Sequence, residues 1–230
     1  MCFSAGASFG AATILSTIGV LSIKKAQSPS DTVFASIPML FAIQQLAEGV
    51  LWLALSNPSY AWLQQGATYI FLVFAQVIWP LLVPVSILLL EKKEERKKVQ
   101  KVLIGIGAVI SVYLGFCLLF YNVQASIVGY HISYELDFPP TFGGVGSLLY
   151  VIATIVPPFF SSYKRMWTLG TAILISYIIT MIFYTDYIIS VWCFFASIIS
   201  IAVLAIMYEI KKANDESNIP ASLKSNSTIS

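Results

Sequence analysis

Charge is scarce in this chain. Asp, Glu, Lys and Arg make up 10% of its 230 residues, against about 25% in soluble domains. Histidine occurs once, as His131, and cysteine three times, as Cys2, Cys117 and Cys193. No CxxC pair and no Cys/His cluster is present, which excludes a zinc ribbon, a thioredoxin-type site and a histidine-rich zinc hydrolase. The opening MCFSAGASFG lacks a basic residue, so no cleavable signal peptide is expected. No lipobox precedes Cys2, and a structural role capping the first helix is expected for it. No lysine lies in the last apolar run before Lys211, which removes the Schiff-base position of a retinal protein. A net charge of +2 taken alone suggests nothing, and no nucleic-acid partner is expected. No cofactor and no metal site is expected.

What the chain does have is apolar sequence, 58% of all residues. A soluble core of this size cannot hide so much apolar surface, so lipid must take the rest. The expected fold is all-α: a polytopic integral membrane protein built as a seven-helix bundle. About 20 residues cross a bilayer core. The spans fall at Ala5–Ile23, Val33–Leu55, Gly66–Leu90, Val102–Tyr121, Val145–Ser161, Trp167–Thr185 and Ile188–Tyr208. Pro157-Pro158 interrupts the end of the fifth.

Charge placement tests that count. All thirteen Lys and Arg residues fall on one side of a seven-span arrangement, while the opposite loops carry Glu135, Asp137 and Asp186. Cytoplasmic loops carry the positive charge. The N-terminus is therefore expected outside and the C-terminus in the cytoplasm. Residues 1–212 read as one transmembrane domain and 213–230 as a disordered cytoplasmic tail. The stretch EKKEERKKVQK, Glu91 to Lys101, reads as a solvated stop signal and helix extension; docking on anionic lipid is the alternative.

The second span, IPMLFAIQQLAEGVLWLAL, holds polar residues in an otherwise apolar run. Gln44, Gln45 and Glu48 share one side of the helix, with Trp52 one turn on and Gly49 allowing close approach of a neighbour. A carboxyl at this depth costs a few kcal/mol unless it faces other helices or water, and marks a functional site by default. The third span brings Gln76, Trp79 and Pro80 to the same level, and the last brings Trp192 and Cys193. The functional reading is an outward-facing cavity with Glu48 at its floor. Its ligand residues would be Gln44, Gln45, Glu48, Trp52, Gln76, Trp79, Trp192 and Cys193. The structural alternative is a polar clasp in which Glu48 bonds Gln76 or a backbone carbonyl. Cys193 reads as a small packed hydrophobe. His131 lies in a long outer loop, YHISYELDFPPTFGG, expected to be solvated, with Tyr134 and Phe138 folding it back over the helix ends.

The opening MCFSA, the QQ…EG…W pattern of the second span and the late WCFFA resemble a family of uncharacterised bacterial seven-helix membrane proteins. The similarity runs to about Met207 and covers Cys2, Phe3, Ser4, Gln44, Gln45, Glu48, Gly49, Trp52, Pro80, Trp192, Cys193 and Phe194. It implies a bacterial inner-membrane location and no activity. Three functions stay open: binding or sensing of a small molecule or lipid, proton-coupled transport through Glu48, and intramembrane catalysis with His131 or Cys193 as partner. The lipid bilayer is the one partner common to all three.

Overall fold

The computed structural model describes residues 4–139 and 143–217. It is mostly helical: α1 (Ala5–Ile23), α2 (Pro29–Ala35), α3 (Ile37–Ser56), α4 (Gln64–Leu72), α5 (Trp79–Leu90), α6 (Glu94–Phe120), α7 (Gly143–Ile155), α8 (Met166–Phe183), α9 (Ile188–Phe194) and α10 (Ala196–Ser217). Among the described residues, five segments are long and apolar enough to cross a membrane: 5–23, 29–56, 58–90, 94–120 and 166–183. The other two expected spans take different forms. α7 has 13 residues and passes into a 3-10 turn, Pro157–Phe160, because Pro157 and Pro158 lack the amides a continuing helix needs. The last run breaks at Phe195 into α9 and α10. α10 continues to Ser217, five residues into the stretch expected to be tail, and Gln27 donates to Asp215 across 2.7 Å. The rest of that expected tail, 218–230, lies outside the described residues, as do Cys2 and Phe3.

The two ends of the bundle differ. At one end the basic loops meet: Arg165 pairs with Glu209 at 2.9 Å, and Lys25 lies 4.4 Å over the Tyr208 ring. The core there is large and includes Phe34, Ile87, Met166, Met207 and Ile210. At the other end stands a β-hairpin, β1 (Val123–Val128) and β2 (His131–Leu136), antiparallel with Val128 opposite His131. The expectation of a solvated loop is corrected here. Gly129, at φ +62°, opens the two-residue turn, a conformation that costs glycine nothing. One face of the hairpin buries Ala125 and Ile132 against Leu51, Trp52 and Ala67. Tyr134 stacks on Phe71 at 5.0 Å and 2°. The hairpin is thus a lid packed on the helix ends. His131 is edge-on to Tyr184 at 5.5 Å, and burial pushes its imidazole below its ordinary value.

Between α4 and α5 the chain widens into a π-helix, Val73–Ile78, directly ahead of Pro80. Proline has no amide, so one carbonyl in the preceding turn loses its helical donor. In π register that carbonyl is Ala75, and the Tyr150 hydroxyl donates to it. The Ser111 hydroxyl donates to the carbonyl of Val77 at 2.7 Å. Side chains of α6 and α7 therefore satisfy a break that lipid could not.

Candidate functional site

Two neighbouring features occupy the middle of the bundle. The first is a ladder of polar contacts made by α3. Glu48 is fully buried. Its carboxyl accepts from the Ser190 hydroxyl at 2.7 Å and from the Gln45 amide at 3.1 Å. One turn away, Gln44 accepts from the indole N–H of Trp79 at 2.8 Å. These bonds tie α3 to α9 and to α5. Gly49 gives the close approach expected of it: a Cβ there would lie 2.7 Å from the Phe9 ring of α1. Trp52 is 6% exposed and packs under the hairpin, its indole nitrogen without a partner among the described residues.

The second feature is a cavity of about 500 Å³ among α5, α6, α7, α8, α9 and α10, with Phe34 of α2 and Ile37 and Phe41 of α3 also in its wall. Gln76, Trp79 and Trp192 line it; Gln44, Gln45, Glu48 and Trp52 do not. α3 reaches the cavity through Ile37 and Phe41, while its polar stripe faces α9 and the edge of Trp79. The clasp reading expects Gln76 or a backbone carbonyl as the partner of Glu48; the bonds observed are to Ser190 and Gln45. The Cys193 side chain lies outside the described residues. The cavity wall also takes Tyr150, Val151 and Thr154 from α7 and Tyr177 from α8. α7 packs chiefly on α6 and α5 and little on α8. Met181, Thr185 and Ser147 line the cavity yet are exposed, so it opens sideways between α7 and α8, near the hairpin end.

Most polar groups on the wall are already paired. Trp192 donates to Ser176 at 3.0 Å, and Thr154 to the Tyr150 carbonyl at 2.8 Å. Gln76 is the exception: it is 7% exposed, and its side-chain oxygen has no partner among the described residues. No Asp, Glu, Lys, Arg or His is among the lining residues.

A third polar cluster sits at the basic end. Glu91 was read as part of a solvated run, yet it is 3% exposed. Its carboxyl accepts from the amides of Lys92, Lys93 and Ser162 and from the Ser162 hydroxyl. Arg96 donates to the Ser161 carbonyl, and Gln100 to the Pro157 carbonyl at 2.8 Å. The turn into α6 thus grips the segment that follows α7. Burial works against the Glu91 carboxylate, but the hydrogen bonds from Ser162, Lys93 and Lys92 outweigh it and hold its pKa below the ordinary value. Burial, followed by the nearby carboxylates of Asp31, Glu91 and Glu209, pushes Tyr163 up.

Tyr150, Ser176, Ser190 and Glu91 escaped the sequence reading. The first three are single hydroxyls in apolar runs, the form in which a membrane protein places its interhelical bonds. That was the only signal available.

Five helical segments of spanning length and apolar composition mark a multi-pass helical membrane protein. The chain belongs to a family of unknown function, DUF6629, whose profile matches residues 1–218. No curated protein and no solved structure matches it.

Proposed function

We propose that this is a seven-span bacterial inner-membrane protein, N-terminus outside, that binds a small apolar molecule or lipid in the cavity between α5 and α9. The cavity carries the reading. Its volume of about 500 Å³ falls inside the range of about 300–1,000 Å³ that small-molecule sites occupy. Its walls are apolar and aromatic, and its side opening faces what would be lipid. On this reading α7 with its 3-10 extension, and α9 with α10, also cross, and the one-sided placement of Lys and Arg supports the orientation. Glu48 is then a clasp that fixes the helices around the cavity. No acid, base and nucleophile converge on the cavity wall among the described residues, which favours binding over catalysis.

Trp79 and Trp192 provide the readout, since both line the cavity. A brominated tetradecane should quench tryptophan fluorescence saturably in the wild type. Val151→Phe, which pushes a ring into the cavity from α7, should weaken that quenching. Equal quenching in both proteins would contradict the reading.

A further inference from the structure

The cavity is polarised along its length. Its α5 wall runs from Ala75 and Gln76 near the hairpin to Ser86 and Ile87 near the basic end. Gln76 and Ile87 are separated by about 16 Å at 1.5 Å per residue. Beyond Trp79 the walls are mainly apolar, with Phe34, Val83, Ile87, Leu169, Ile199 and Val203, and the Ser86 hydroxyl there donates to the Val83 carbonyl. At the hairpin end sits the Gln76 amide.

A buried amide oxygen without a hydrogen bond costs about 1–3 kcal/mol, and such orphans are rare. Four donors on the wall are already engaged elsewhere. The Tyr150 hydroxyl is committed to the Ala75 carbonyl and the Trp79 indole to Gln44. The Trp192 indole is committed to Ser176 and the Tyr113 hydroxyl to the Pro139 carbonyl. The oxygen is closed off as it stands, and a turn about the last side-chain bond presents it to the space, whose occupant then supplies the donor. That occupant must also be neutral, because no lining residue carries a charge to balance an ion in this apolar setting.

We infer that the ligand is a neutral, single-chain amphiphile whose hydroxyl or amide N–H donates to Gln76, with its chain running toward Ile87 and Val203. Such a molecule resides in the bilayer and would enter through the gap between α7 and α8. The aromatic ring of Trp79 sits beside the polar group, and the mainly apolar walls take the chain. This inference rests on the ligand-binding reading above and adds the chemistry of the ligand.

The test is competition against the brominated tetradecane, with tetradecane, 1-tetradecanol and ionised tetradecanoate as competitors. In wild type the alcohol should compete about three- to tenfold better than the alkane, the worth of one net hydrogen bond. Tetradecanoate should be the weakest. In Gln76→Leu the alcohol's advantage should vanish while the alkane still competes, which also reports that the variant is folded. Gln76→Met serves the same purpose if the leucine variant does not fold. Equal competition by alcohol and alkane in wild type would overturn the assignment of Gln76 while leaving the cavity reading intact. So would an advantage that persists without Gln76. A preference for tetradecanoate would overturn the neutral ligand. No saturable competition by any of them would overturn both readings.

Discussion

Trp79 donates its indole N–H to Gln44 across 2.8 Å, and Phe41, one turn earlier on α3, stacks on the same indole at 3.9 Å. One helix therefore holds both the edge and the face of the ring that walls the cavity. Gln44, Gln45 and Glu48 stand behind that wall, outside the cavity lining. Gln44→Leu leaves the indole nitrogen buried and unpaired, which should cost about 1–3 kcal/mol of stability. Adding Trp79→Phe should cost less than the sum of the single changes, because the orphaned group goes with it. Thermal unfolding of the four proteins in mild detergent checks this.

The Glu48–Ser190 bond joins residues 142 positions apart. It closes α9 against α3. Interhelical bonds of this kind average about 0.6 kcal/mol and reach about 1.7. A double-mutant cycle with Glu48→Leu and Ser190→Ala should return a coupling energy in that range. A coupling of zero would mean that the two helices are held by other contacts.

Gly107 of α6 lies against the backbone of Pro80. A Cβ at position 107 would be 2.0 Å from the Pro80 carbonyl oxygen, a rigid neighbour that cannot swing away. Gly107→Ala should push α6 from α5 and lower stability by about 1–3 kcal/mol. Gly105, two residues earlier, meets nothing within 4 Å. Gly105→Ala should be neutral or gain up to about 1 kcal/mol from helix propensity. Folded yield and unfolding midpoint of the two variants separate steric clash from helix preference.

Much of this architecture was legible in the sequence. The helices at 5–23 and 166–183 lie where apolar run length puts them, and the polar stripe of α3 was visible at helical spacing. The hairpin was missed, although Gly129-Tyr130 separates two runs whose burial alternates in part, because a long polar loop between spans reads as solvent-facing. The cavity was only half visible. Periodicity says that Gln44 and Glu48 share a face. It cannot say which neighbour that face meets, and here it meets α9 and the edge of an indole. Gln76 looked like a partner for Glu48 because depth can be counted along a helix, whereas rotation across the π-helical turn cannot. Glu91 looked solvated because its neighbours are charged; its burial depends on Ser162, 71 positions away.

Glu91 makes stability depend on acid. Its folded pKa lies below the ordinary 4.5, so the fold favours the carboxylate. That stabilisation is fully present above about pH 4.5 and is lost as pH falls through the folded value. Glu91→Gln should be less stable than wild type at neutral pH, and the gap should narrow on acidification. Melting temperature measured against pH for both proteins gives the comparison.

The central claim is that the cavity, rather than Glu48, holds the ligand. Native mass spectrometry of protein purified from membranes in mild detergent tests it most directly. The account predicts a one-to-one adduct with a neutral molecule in wild type, kept in Glu48→Gln and lost in Val151→Phe. An adduct lost in Glu48→Gln but kept in Val151→Phe would contradict it and return the site to α3.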